Sequence, residues 1–169
     1  MDLLTLLPIA LCFAGFITLL TLSVIDLRTW LLPDKYNLTL ALLGIAFHAS
    51  TQFRIFPPAE LFYGAALGAG TLYAVRFLGN RHYKQDTLGL GDVKLLGAAG
   101  FWLGVEGVVF AITIGACAGL CHGIGIALTR AIQTKSRPNL KRLMLPAGPG
   151  FCAGILLVSI WKLYPYFMQ

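Results

Sequence analysis

Charge is scarce in this chain. Asp, Glu, Lys and Arg together make up 12% of its 169 residues, where an ordinary soluble domain carries about 25%. With 57% hydrophobic residues and a mean hydropathy of +0.77, that shortage excludes a conventional soluble fold and points to the membrane. The four cysteines, Cys12, Cys117, Cys121 and Cys152, form no Cys-x-x-Cys pair, so the usual zinc signature is missing. All four lie inside apolar runs and read as small buried residues of packed helices. His48, His82 and His122 fall in three separate segments, so neither a metal nor a cofactor is expected. There is no nucleic-acid-binding motif and no basic-aromatic patch. The net charge of +6 is therefore read as cytoplasmic Lys and Arg against anionic lipid headgroups, not as a nucleic-acid surface. The start, Met1-Asp2, has no basic stretch before its apolar run, so a first spanning helix is expected there and not a cleaved signal peptide.

What the chain does have is long apolar runs. A helix needs about 20 mostly apolar residues to cross a hydrocarbon core. Runs over 3–25, 37–53 and 59–78 are separated by polar loops at 26–36 and 54–58, and a polar, basic stretch covers 79–92. The run 93–130 is too long for one crossing and is broken at Gly104-Val105-Glu106-Gly107. A basic loop over 131–145 precedes a last run within 146–165. The expectation is an all-α integral membrane protein, a bundle of about six transmembrane helices in one domain over 1–169. The fourth segment, 93–104, gives only about 18 Å of helix. It either continues past Glu106 or is a short helix held inside the bundle beside water. Glycines at helical spacing (Gly64 and Gly68; Gly115, Gly119 and Gly123; Gly150 and Gly154) predict close helix packing.

Basic residues orient the bundle. With the loops after segments one, three and five in the cytoplasm, eleven of the thirteen Lys and Arg lie on that side, and only Arg54 and Lys162 fall outside it. Both termini are then non-cytoplasmic. Asp26 and Asp92 come to the same, cytoplasmic, face.

Those two acids are the chemically informative residues. A carboxylate at the edge of an apolar run is costly and is by default a functional-site candidate. Peptide hydrolysis needs a base to take a proton from water and an acid to protonate the carbonyl oxygen and then the leaving amine. Two neighbouring aspartates sharing one proton fill both roles without a metal, because like charges a few ångströms apart do not both ionise cheaply. Gly89 and Gly91 allow a tight turn and close approach of an extended substrate backbone. The plainer alternative makes Asp92 the N-cap of the helix it precedes, and Asp34 is expected to cap its own helix.

At these residues the chain resembles the type IV prepilin peptidases, bacterial membrane aspartyl proteases of the Gly-x-Gly-Asp class. Asp26 is followed after six residues by Pro33-Asp34, resembling the family's first aspartate and its Pro-Asp/Asn. Gly89-Leu90-Gly91-Asp92-Val93-Lys94-Leu95 is similar to its Gly-x-Gly-Asp-(Val/Phe)-Lys-Leu, and Leu145-Pro146-Ala147-Gly148-Pro149 to a Pro-Phe-Gly-Pro near the last helix. The resemblance implies an endopeptidase of the bacterial inner membrane that removes the basic leader from pilin-like precursors at the cytoplasmic face and leaves the precursor's apolar helix in the membrane. It implies Asp26 and Asp92 as catalytic, and Gly89, Gly91, Lys94, Pro33, Asp34, Gly148 and Pro149 as substrate-binding or site-shaping. Its partners would be a prepilin or pseudopilin and membrane lipids. The chain departs from many members in lacking the cytoplasmic insert with two Cys-x-x-Cys pairs, so methylation of the new N-terminus is not expected, and Ala147 stands at the usual Phe. The rival reading is a proton-coupled transporter using the two acids as a relay. It predicts an inverted internal repeat, and no convincing one is found.

Overall fold

The computed structural model describes residues 3–134 and 147–168. Every regular element in them is a helix: α1 (Leu3–Thr29), α2 (Asp34–Ser50), α3 (Pro58–Tyr83), α4 (Leu90–Thr134) and α5 (Gly148–Phe167). Among the described residues three stretches are long and apolar enough to cross a membrane: Leu6–Thr29, Pro58–Tyr83 and Leu90–Arg130.

The first loop is shorter than its polarity suggests. Asp26-Leu27-Arg28-Thr29 contains no Gly or Pro, so α1 continues through it, and the Thr29 hydroxyl donates back to the Ile25 carbonyl at 2.9 Å. Trp30, in the left-handed region at φ 59°, stops the helix, and its N–H closes on the Asp26 carbonyl at 2.9 Å. Pro33 then takes the N-cap position of α2. Asp26 is thus a residue of the last turns of α1 and not of a loop. Asp34 is not a cap; it is the first residue of α2, whose N-cap makes no side-chain hydrogen bond. Likewise α4 begins at Leu90, so Asp92 sits inside its first turn and not before it. At the far end α4 runs to Thr134, into the stretch read as a basic loop, and 135–146 lies outside the described residues.

Gly104 interrupts α4. Its backbone (φ 65°, ψ −169°) is one that a side chain would strain, and it divides the element into two arms. The position is the first residue of the break read from the sequence. The first arm runs beside α2 and α3. The second turns back along α5, where Gly115 meets the Phe151 ring and Gly154 the Ala111 carbonyl. α3 and the first arm pack backbone to backbone. A Cβ added to Gly100 would fall inside contact distance of Gly64 and Ala65, and one on Gly64 would lie 2.6 Å from the Gly104 carbonyl carbon. The small-residue spacing therefore sets this close approach. On the other side, the Trp102 indole N–H donates to the Leu40 carbonyl at 2.8 Å and His48 Nε2 meets the Trp102 carbonyl at 3.2 Å, tying α2 to the same arm.

Successive arms alternate in direction. The last turns of α1 and α3 and the first turns of α2, α4 and α5 consequently meet at one end of the bundle. An ion pair between Lys162 and Glu106 marks the opposite end, about 21 Å from Gly148 along α5.

Candidate active site

Asp26 is only 5% exposed. Its Oδ2 accepts the backbone N–H of Gly148 at 3.0 Å. Gly148 opens α5 after the N-cap residue Ala147, and Pro149 follows in the first turn, where its missing N–H leaves no helix bond unmade. Asp26 therefore sits at a helix N-terminus, where the aligned peptide dipoles and free N–H groups favour a carboxylate. A Cβ on Gly148 would lie 2.6 Å from that same Oδ2. Glycine here is what lets α5 reach Asp26. Leu145 and Pro146, the first two residues of this motif, lie outside the described residues.

Asp92 is 7% exposed. It reaches back to the backbone N–H of Gly89, the residue before α4, as the third residue of a helix does in a capping box. That bond occupies one side of the carboxyl group; Oδ1 is buried with no protein partner. A buried carboxyl oxygen without a donor is expensive and is the exception in native proteins. Asp92 and Asp26 lie within electrostatic reach of each other. The buried thiol of Cys152, one turn into α5, lies within reach of both.

The other residues implied by the resemblance are arranged around α4's first turn. Gly91 keeps a negative φ, so its role is closeness and not turning: a Cβ there would lie 2.6 Å from the Leu32 Cβ. Gly89 likewise makes no positive-φ turn; it supplies the N–H on Asp92. Lys94 turns away from the acids to pair with Asp34 at 2.6 Å. With side chains 49% and 73% exposed, this pair ties the start of α2 to α4 at the rim and is worth at most about 1 kcal/mol. Pro33 and Asp34 thus frame the site from α2 without reaching its centre. Among the described residues no group of three or more His, Cys, Asp or Glu side chains could hold a metal ion.

Three residues not singled out from the sequence hold this turn in place. Buried Asn37 donates to the Gly91 carbonyl at 3.3 Å. Arg76 donates to the Leu88 carbonyl and to Asp86. Asn80 donates to Asp86 at 2.9 Å and accepts from the Thr87 N–H at 2.8 Å and hydroxyl at 3.0 Å. Together Arg76 and Asn80 clamp the segment 86–88 that leads into Gly89 and Asp92. The sequence carried one hint, a guanidinium within the apolar run of α3. On the peptide hydrolysis expected from the two acids, Arg76→Ala should lower turnover of a cleavable substrate by about 10- to 100-fold, the cost of ångström-scale misplacement of a reacting group. KM should change little and Arg76→Lys should recover part of the loss. Steady-state kinetics measure this, and an unchanged kcat in Arg76→Ala would show that the clamp is dispensable.

Residues 13–124 match the model of the type IV leader peptidase family. The chain is 40% identical over 112 residues to a prepilin leader peptidase/N-methyltransferase of Escherichia coli, covering 66% of this chain and 49% of that protein. It is 33% identical over 143 residues to the prepilin leader peptidase/N-methyltransferase of Xanthomonas campestris, covering 85% and 47%. A protein of Salmonella typhimurium named leader peptidase HopD is 32% identical over 160 residues, covering 94% of this chain and 95% of its own. The chain thus spans about half the length of the two longer relatives and nearly all of the shorter one. No solved structure matches it. Membrane-length helices and these relatives together mark a multi-pass membrane protein.

Proposed function

Because the chain belongs to the type IV leader peptidase family, we propose that it is a membrane aspartic endopeptidase that removes the basic leader from a type IV prepilin or a pseudopilin-like precursor. The observation that carries this is the convergence of Asp26 from α1 and Asp92 from α4, both buried, at one end of the bundle within electrostatic reach of each other. A relay in a transporter would set such acids near mid-depth of the membrane; these lie at one end.

In the proposed reaction the pair holds one proton. The ionised carboxylate takes a proton from water as the water oxygen attacks the scissile carbonyl carbon. The protonated partner gives its proton to the carbonyl oxygen. The tetrahedral intermediate collapses with cleavage of the C–N bond, and the amine leaves with the proton first taken from water. The buried, partnerless Oδ1 of Asp92 is a free acceptor for that water or for substrate. The Gly148 N–H keeps the Asp26 carboxylate aimed while its charge changes.

The remaining elements of the reading are six membrane crossings in a single domain over 1–169, both termini outside the cytoplasm, and residence in the bacterial inner membrane. Their support is the alternating direction of the six helical arms and the asymmetry of the Lys and Arg residues. Methyl transfer is not part of the proposed activity: the stretch 26–36 carries no cysteine pairs. One experiment addresses the activity, its membrane face and the absence of methyl transfer, presentation of a pilin-like precursor to membrane vesicles of either orientation with mass analysis of the product. The expected result is leader loss only where the cytoplasmic face is accessible, and a product N-terminus without a methyl group even when S-adenosylmethionine is supplied. Intact precursor in both orientations, or a methylated product, would refute the corresponding part.

A further inference from the structure

α1 and α5 meet at the end that holds the acids and are parted by a cleft farther along. α1 and α5 touch where the Gly148 N–H meets Asp26. Farther along the same two helices, an apolar cleft of about 600 Å³ separates Ile9, Phe13 and Phe16 of α1 from Ser159 and Ile160 of α5. Trp102 lies at its base and is not free to collapse into it. Its N–H is bonded to Leu40, its ring stacks on Phe47 at 5.5 Å, and it is wedged where a Cβ on Gly15 would lie 2.7 Å from the indole. The cleft is therefore a held shape and not a packing gap that neighbours relax into. Phe13 is 65% exposed and Ile160 57% exposed beside it.

An almost wholly apolar cleft at hydrocarbon depth takes an apolar occupant, either a lipid acyl chain or a peptide helix. Its direction favours the peptide. The α1 wall runs from Ile9 to Leu19, about 15 Å or three helical turns. It stops two turns, about 10 Å, short of Asp26 on the same helix. A helix lying in the cleft would bring its own end to the two carboxylates, which places a peptide bond there; an acyl chain gains nothing from that alignment.

We propose that this cleft docks the apolar membrane helix of the substrate, the segment continuous with the scissile bond, so that α1 and α5 set which bond reaches Asp26 and Asp92. The proposal rests on the peptidase reading above. It assigns substrate recognition to hydrocarbon contacts inside the membrane.

Cys12 lies in the cleft wall and supplies a native probe. The full chain carrying Asp92→Asn, reconstituted in phosphatidylethanolamine/phosphatidylglycerol vesicles, would be oxidised with precursors bearing one cysteine at successive positions of the apolar helix. Disulfides to Cys12 at positions three or four apart, on one helical face, are expected. In parallel, Ser159→Trp, which fills the cleft, should raise KM for the precursor by roughly tenfold or more. Leu157→Trp, also on α5 but not lining the cleft, should leave it unchanged. Absence of cross-links at every position, as an acyl-chain occupant would give, overturns the docking proposal, and so does an unchanged KM in Ser159→Trp. Leader removal by the wild-type chain is scored separately: cross-links without removal would keep the docking and refute the peptidase reading.

Discussion

Asp26→Asn and Asp92→Asn are each expected to reduce leader removal by roughly 10³-fold or more, with the double variant no worse than either single one. General acid–base groups contribute about 10² to 10⁴ in rate, and residues that act as one unit lose their effect together and not additively. An amide keeps the volume of the carboxyl group but can neither take a proton from water nor pass one on. The Asp26→Asn side chain can still present an oxygen to the Gly148 N–H, so the fold should survive and the loss should fall on kcat. Single-turnover cleavage with each variant, alongside thermal melting in detergent, measures this. Additive losses, or a single variant retaining a tenth of wild-type turnover, would mean that the two acids do not share one proton.

The second large effect is expected at a residue with no titratable group. Gly148→Ala puts a Cβ only 2.6 Å from Asp26 Oδ2 and 2.9 Å from the Asp26 Cγ, closer than such atoms can approach. Either α5 moves back or the carboxylate turns away, and both break the 3.0 Å hydrogen bond. A displacement of about an ångström at a reacting group costs on the order of 10²-fold in rate. Gly70→Ala is the matched control, because nothing lies within 4 Å of a Cβ there, and it should keep full activity. Equal activities of Gly148→Ala and Gly70→Ala would show that contact between α5 and Asp26 is not needed for turnover. This contact also gives the Gly148-Pro149 segment a physical role that does not depend on the side chain at position 147.

What the sequence revealed and what it hid follow from one distinction. Rare charges in apolar runs stand out, so Asp26 and Asp92 and the chain segments around them were legible without coordinates. The break in α4 at Gly104 was legible too, because 93–130 is too long for one span and its glycines cluster. Helix limits near the acids were not. Polarity was read as loop at 26–36, yet Asp26-Leu27-Arg28-Thr29 carries nothing that stops a helix, and the stop comes from Trp30 in a left-handed conformation. The expected turn at Gly89 and Gly91 was instead a matter of clearance and of a donated N–H. The hydrogen bonds that place the site were hidden for a different reason. Gly148 reaches Asp26 across 122 residues of sequence, and Asn37 reaches Gly91 across 54. No local pattern encodes such pairs. Arg76 was marked only by its charge within an apolar run and Asn80 by nothing, because their partners in the segment 86–88 are set by the fold.

The most direct test of the central claim uses the purified chain alone, in lipid vesicles, with one pilin-like precursor and no other protein. Mass spectrometry would follow the precursor before and after incubation, with Asp26→Asn and Asp92→Asn in parallel. The account predicts two fragments from the wild type, leader and mature chain, separated at one peptide bond, and intact precursor with both variants. Cleavage at the same bond by either variant, or intact precursor with well-folded wild type across several pilin-like substrates, would contradict it.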